Sequence, residues 1–319
     1  MQPLISVVIL SYNSSETIIE TLDSVLAQTY EHIEVIVTDD ASKDNSVALC
    51  QQWKEQHGER FARMVVLPAE QNGGIAANAN QGCRAALGEW LKVLAADDLL
   101  TPNALSDLAA FVEQHQEADI VFSKVKPIGD EQTAREWTWF DPGLLLERMT
   151  HRQQMMRIFE GNFLPAASAF IKRQCYQDLG GYEEQIALME DWPFWIKAVC
   201  EKKHLAFLDS YTALYRFSAK SVSQGADWQQ DPNSRYYQTQ RAAEQFAEKC
   251  KKKYAWLLWI HHRSLEAYRE KGSLWWRFVY FWRGLNPYYR ESKKWNGWWV
   301  PLWKQHLERN RQVLLDSFG

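Results

Sequence analysis

Two of the strand-like runs in this chain end in a pair of aspartates, and that coincidence limits what the chain can become more than any other feature. Residues 5–10 read ISVVIL, 33–38 read IEVIVT and 91–95 read LKVLA. Runs that are β-branched and apolar without alternation suit strands covered on both faces, the habit of parallel sheets. Between them the pattern turns helical: Ile18, Ile19, Leu22, Val25 and Leu26 recur at helix spacing after Ser15, the expected N-cap. Helices are expected again at about residues 45–56 and 76–87, with a strand at 64–67 and a glycine-containing loop at 72–74. This alternation predicts an α/β fold with a mostly parallel sheet flanked by helices. Asp39-Asp40 closes the second run and Asp97-Asp98 follows the third. Ligands of open parallel sheets gather at those carboxyl ends.

From about residue 119 to 217 the pattern is less regular. A strand is expected at 120–122, a helix at 149–159, an extended stretch at 163–172, a turn at Gly180-Gly181 and then a helix carrying Glu190-Asp191-Trp192. Residues 218–233 are polar and read as a loop, and beyond them the chain reads as helices broken at Gly272, Gly284/Pro287 and Gly297/Pro301. Charge divides the chain as well. From Arg235 onward there are 17 Lys and Arg against 7 Asp and Glu, and before it 19 against 33. Nine of the 16 tryptophans also lie in that last stretch. The expected organisation is therefore a catalytic-looking acidic body over 1–225 and a basic, aromatic, helical region over 226–319.

Several classes are disfavoured. No G-x-G-x-x-G follows the first strand, which argues against a dinucleotide-dependent oxidoreductase. No nucleic-acid motif accompanies the basic tail. Cys50, Cys83, Cys175, Cys200 and Cys250 have no metal-ligand spacing and are expected to be reduced thiols of a cytoplasmic protein. Met1-Gln2-Pro3 runs straight into a strand without the marks of a signal peptide, and no window approaches the ~20 apolar residues of a spanning helix.

The acidic pairs suit one chemistry in particular. Breaking the bond between a sugar and a nucleoside diphosphate leaves charge that a carboxylate-held divalent cation neutralises without a proton donor. Mg²⁺ and Mn²⁺ favour oxygen ligands, which Asp97-Asp98 supplies. Asp39-Asp40 could accept hydrogen bonds from a nucleobase N–H or from ribose hydroxyls. For either pair the alternative is capping of the following helix, which Asp44 or Asn45 could do for the first. Transfer also needs a base to take the proton of the acceptor hydroxyl. Asp191 is the candidate, beside Glu190 and the aromatics Trp192, Phe194 and Trp195. An apolar surround raises a carboxylate pKa and aromatic faces suit sugar rings. The alternative here is an acidic helix start before Pro193.

Six blocks then stand in a telling order: 6–13 (SVVILSYN), 38–46 (TDDASKDNS), 72–82 (NGGIAANANQG), 88–102 (GEWLKVLAADDLLTP), 180–184 (GGYEE) and 190–198 (EDWPFWIKA). In order and approximate spacing this resembles the family 2 glycosyltransferases, over about residues 3–225. The resemblance implies the Rossmann-like GT-A fold and an inverting transfer from a nucleotide sugar, a UDP-sugar first among donors, with Mg²⁺ or Mn²⁺. It implies that Ser11, Tyr12 and Asn13 surround the nucleobase and ribose, with Tyr12 near the base. Asp39 and Asp40 match the acidic pair of which one binds the base, and Asn72 and Asn80 fall in the third, donor-binding block. Asp98 matches the metal ligand and Asp97 a group near ribose or phosphate. Asp191 matches the base, and Glu190 a residue that positions the acceptor. Three positions depart from the family pattern: Ala95 stands where many members begin the metal motif with an acid, Ala79 where an arginine often precedes the asparagine, and Ser218 where a histidine often lies near the diphosphate. Arg216 or Lys220 is expected to supply the missing positive charge.

The tail adds a setting. Trp and Tyr favour membrane interfaces and clustered Lys and Arg favour anionic lipid, as in Lys251-Lys252-Lys253-Tyr254 followed by Trp256 and Trp259. The alternative is that these aromatics pack a helical appendage or a second subunit. The expectation is a peripheral protein at the cytoplasmic face of the inner membrane, acting on a saccharide or polyprenyl-linked acceptor in surface-polysaccharide assembly. The rival is a non-catalytic nucleotide- or carbohydrate-binding protein on the same fold.

Overall fold

A computed structural model of the protein describes residues 2–129, 146, 149–186, 188–217 and 235–253. The chain divides into two compact units, Met1–Lys253 and Tyr254–Gly319. The second unit, the tryptophan-rich tail with it, lies outside the described residues, as do Ser218, Lys220 and the expected boundary at 225/226.

The first unit is built on one eight-stranded sheet. Its strands are β1 (Ile5–Ser11), β2 (Ile33–Asp39), β3 (Arg63–Pro68), β4 (Trp90–Ala95), β5 (Leu99–Leu100), β6 (Ile120–Gly129), β7 (Phe170–Lys172) and β8 (Leu205–Phe217). Across the sheet they run β3-β2-β1-β4-β7-β6-β8-β5. The first four in that order are parallel, β7 is antiparallel to both neighbours, and β8 runs parallel to β6 and antiparallel to β5. Every residue of β1 and β2 is buried, as the unbroken apolar runs require. Alternate residues feed the two faces: Val7, Ile9, Val35 and Val37 join the core under α1 (Ile18–Leu26) and α2 (Ser46–His57). Full burial of each such side chain contributes roughly 1.5–3 kcal/mol. α3 (Ile75–Ala85) covers the opposite face. It lies so close that a Cβ on Gly82 would come within 2.4 Å of Val8 Cγ1 and 3.0 Å of Thr38 Cγ2.

Some expectations shift. α1 begins at Ile18 with Thr17 before it and no side-chain cap, so Ser15 is not its N-cap. Asp44 takes the Ser46 amide ahead of α2, through Oδ1 at 3.0 Å, while Asn45 makes no side-chain cap bond. The extended stretch 163–172 is broken by a 3-10 turn at Ala166–Ser168 before β7. α4 (Ala104–Gln114), α5 (His151–Glu160), α6 (Arg173–Asp178), α7 (Asp191–Cys200) and α8 (Arg235–Lys253) complete the unit. α8 packs on α7 and buries Thr239, Ala243 and Ala247 at helical spacing. Cys50, Cys83 and Cys175 are free, buried thiols, which burial pushes above the usual range. Among the described residues no helix is long and apolar enough to cross a membrane.

Candidate active site

The parallel register brings the acidic strand ends to one level. Ser11 lies opposite Asp39, and Leu10 opposite both Thr38 and Ala95. The Asp40 amide then bonds Ser11 O at 2.9 Å, and the Ala96 amide bonds Leu10 O at 3.0 Å. The result is a continuous shelf at the carboxyl ends of β2, β1 and β4.

At one end of the shelf both aspartates of the first pair are buried and bonded. Asp39 accepts Ser11 Oγ at 2.9 Å, Ser42 Oγ at 2.5 Å and the Ser42 amide at 2.8 Å. Asp40 accepts the amides of Gly73 and Gly74 at 2.7 and 2.9 Å, and its carbonyl takes the Asn72 amide group at 3.2 Å. Asp40 and Asn72 therefore fasten the loop that leads into α3. The 11–13 and 41–43 loops interlock: the Asn13 amide bonds Ser42 Oγ at 2.7 Å, and the Lys43 amide bonds Asn13 Oδ1 at 2.9 Å. Asn13 and Ala41 hold φ of 50° and 59°, a left-handed backbone that costs a non-glycine residue roughly 1–2 kcal/mol. Above this braced floor Tyr12 leaves 49 % of its surface exposed, a flat aromatic face free to stack. Ser11, Tyr12, Asn13, Asp39, Asp40 and Asn72 are thus brought together.

Asn80 is not a free ligand of that group. Its amide donates to Tyr182 O at 3.0 Å and Glu184 Oε1 at 2.8 Å, while its oxygen accepts Tyr176 Oη at 2.6 Å and the Tyr182 amide at 2.9 Å. Buried, with both ends of its amide bonded, it braces α3 against the 176–184 segment, away from the other expected donor-binding residues.

Asp97 and Asp98 form a tight turn after β4. Asp98 is almost wholly buried, accepts the Arg216 amide on Oδ1 at 2.9 Å and gives its carbonyl to Thr21 Oγ1 at 2.9 Å. Burial first, and then the charge of Asp97, push its carboxyl up to about 8, and burial raises Asp97 as well. Arg216 lies across this turn, but its guanidinium is engaged: Nε bonds Asp97 O at 2.8 Å and Nη2 bonds Glu20 at 2.5 Å. Arg216 ties β8 to α1 over the acidic turn, so its charge is shared with Glu20. Beneath the turn sits Lys92, fully buried in β4, donating to Ala167 O at 2.6 Å and Ala169 O at 3.3 Å. Burial pushes its ammonium down to about 7. Nothing but a lysine inside an apolar run (LKVLA) marked it in the sequence.

Two carboxylates crowded into a buried turn, each raised toward neutrality, suit a divalent cation, whose charge relieves both. Among the described residues no three acidic, histidine or cysteine side chains gather as metal ligands. Such a cation would complete its shell with phosphate oxygens and water.

The third acidic centre reaches the same end of the sheet through β7. Because β7 is antiparallel to β4, the chain before it runs back up toward the acidic turn, held there by Lys92. A few residues further upstream, Asn162 donates to Asp191 Oδ2 at 2.7 Å. Asp191 opens α7, with Glu190 before it, and its Oδ1 takes the Trp192 amide at 2.7 Å. Burial first, then the neighbouring charge of Asp191, raise Glu190 to about 8, and burial raises Asp191. The aromatics beside them are core. Trp192 donates to Ile158 O at 2.7 Å, Phe194 packs on Tyr182 and Trp195 packs edge-on to Phe122, all three with at most 7 % exposure. Buried in this way, they offer no face to a sugar.

The sequence profile of glycosyl transferase family 2 matches residues 6–180. The chain belongs to glycosyl transferase family 2. The family match covers the shelf and Asn162 and stops short of Glu190, Asp191 and Arg216. The glycosyltransferase GlyG of Streptococcus pneumoniae serotype 4 is 37 % identical over 121 residues, 38 % of this chain and 38 % of GlyG. The uncharacterized glycosyltransferase EpsJ of Bacillus subtilis is 28 % identical over 233 residues, 70 % of this chain and 64 % of EpsJ. The matches thus span about two fifths and just under two thirds of these relatives. The GT-A fold is shared with S. aureus TarS 1–349 in complex with UDP-GlcNAc, at 23 % identity and a TM-score of 0.58 over 75 % of this chain and 65 % of that one. It is shared too with the mannosyltransferase PcManGT of Pyrobaculum calidifontis in complex with GDP-Man and Mn²⁺, at 18 % identity and 0.54 over 92 % and 84 %.

Proposed function

We propose that this family 2 member is an inverting, metal-dependent glycosyltransferase that moves a sugar from a nucleotide sugar to a saccharide or lipid-linked saccharide. The observation that carries the reading is the pair of acidic strand ends on one shelf, with Asp191 linked toward β4 by the chain between Asn162, which bonds it, and Ala167 and Ala169, which Lys92 holds. Tyr12 stacks on the base and Asp39 accepts from its N–H or from ribose. Asp98 would hold Mg²⁺ or Mn²⁺, which when bound neutralises charge on the departing diphosphate, with Asp97 beside the ribose or phosphate. Asp191 takes the proton of the acceptor hydroxyl while that oxygen bonds to the anomeric carbon. The carbon–oxygen bond to the nucleoside diphosphate breaks and its electron pair leaves with the diphosphate. Attack opposite the leaving group inverts the carbon. A UDP-sugar is the first donor to try, since TarS binds UDP-GlcNAc, with GDP-mannose, the ligand of PcManGT, next.

The setting rests on the tail's sequence: its basic, tryptophan-rich composition suits the cytoplasmic face of the inner membrane and a polyprenyl-linked acceptor. Two experiments test the whole. Thermal shift with UDP, GDP, dTDP or CMP, each with Mn²⁺, Mg²⁺ or EDTA, should give one metal-dependent stabilisation. Asp191→Asn should then lose turnover by at least 10²-fold with nucleotide binding unchanged. Metal-dependent nucleotide binding without any turnover across donors and acceptors would instead favour a binding protein, the reading that the Ala79 and Ser218 departures suggest.

A further inference from the structure

Glu190 and Asp191 are adjacent, both half-buried, and differ in one respect. Both oxygens of Asp191 are held, one by the Asn162 side chain at 2.7 Å and the other by the Trp192 amide at 2.7 Å. We propose that Asn162 is the positioning residue of this site: its amide fixes the orientation of Asp191 and keeps Asp191, rather than Glu190, the ionised member of the pair. The inference rests on the reading of Asp191 as the base.

The geometry supports it from both sides of the bond. A donor on one oxygen favours the charged form of the carboxylate that receives it, and crowding of two carboxylates means that only one ionises readily. Among the described residues neither carboxylate has a Lys, Arg or His within ion-pair distance, so no stronger partner competes. Among the described residues, the buried Tyr182 hydroxyl faces the pair from the 180–186 segment. On α7 itself Lys197 is turned away to Glu183 and Gly181 O. On α5 the Arg157 guanidinium lies over the Phe163 ring, 4.5 Å from its centre. Of the described α8 side chains, Thr239, Ala243 and Ala247 are buried, none of them charged. Asn162 is itself fixed, since its Oδ1 accepts the Leu164 amide at 3.3 Å, and it is exposed.

The test is a carboxyl titration by NMR on the full chain, with ¹³C-labelled Asp or Glu side chains and signals assigned by their loss in Asp191→Asn and Glu190→Gln. Asp191 should ionise before Glu190. In Asn162→Ala its midpoint should rise by about one pH unit, the loss of one hydrogen bond to a charged group. Asn162→Asp keeps the acceptor that the Leu164 amide uses, so it serves if alanine does not fold. There the rise should be larger, because a carboxylate replaces the donor at contact distance. An Asp191 midpoint that stays put in either folded variant, or a Glu190 that ionises first, overturns the proposal. These titrations need no donor or acceptor. A failed Asp191→Asn turnover assay would remove the base assignment and leave the positioning intact.

Discussion

Asp98→Asn should make the metal-free protein more stable. The folded carboxyl sits at about 8, against 3.8 for the ordinary group, chiefly because it is buried. The unfolded chain ionises Asp98 readily and the folded chain does not. Stability is therefore undiminished below pH 3.8, falls as pH rises toward 8, and is level above it. At pH 7 the ionisation that folding suppresses amounts to about 4 kcal/mol, and relaxation with water entry lowers this to roughly 2–4 kcal/mol. Asparagine keeps the shape and an oxygen for the Arg216 amide without that penalty. Thermal unfolding in EDTA should put the variant roughly 3–6 °C above wild type at pH 7, with the gap widening from pH 5 to pH 8. With Mn²⁺ and UDP the order should narrow or reverse, since a ligand at a hundred times its Kd adds about 2.7 kcal/mol to the protein that binds it. Equal melting of the two proteins in EDTA across this pH range would refute the reasoning.

Other substitutions probe other parts of the shelf. Asn80→Leu strands the Tyr176 hydroxyl and the Tyr182 backbone, and should cost about 2–4 kcal/mol in urea unfolding. Ala41→Gly relieves a left-handed backbone and should be neutral to stabilising by up to ~1 kcal/mol, while Ala41→Val should destabilise by at least ~1 kcal/mol in the same assay. Tyr12→Ala removes an exposed stacking face, so nucleotide affinity by calorimetry should fall by about 10-fold, roughly the worth of one stacked base, with melting temperature unchanged.

The shelf of acidic strand ends was legible because its signals are local. Unbroken apolar runs mark doubly covered strands, and a strand that ends in Asp-Asp carries its acids to the carboxyl edge wherever it sits in the sheet. The surroundings of Glu190 and Asp191 depend on long-range pairing that no window reveals. β8 escaped notice because Asp209, Ser210 and Tyr211 interrupt it, yet it meets β6 across two register shifts near Lys124. Trp192, Phe194 and Trp195 looked available to a sugar because sequence shows an aromatic cluster without saying which way α7 turns it. Asn80 looked donor-facing because it sits in a donor-binding block, whereas its partners lie about a hundred residues away. Lys92 and Asn162 gave no signal as active-site supports, since each acts through one bond to a distant segment.

The Arg216 amide that holds Asp98 lies 118 residues further along the chain. Thr101 and Thr212 join the same two regions through a backbone bond of 3.1 Å, and β5 pairs with β8. As the chain leaves the ribosome, β1 to β4 can assemble while the acidic turn still lacks its far wall. Contacts of such sequence separation form late and slowly. A nascent or truncated chain that ends before Leu205 therefore has the Asp39-Asp40 end of the shelf without a braced acidic turn. The turn gains its far wall only once synthesis has passed Phe217.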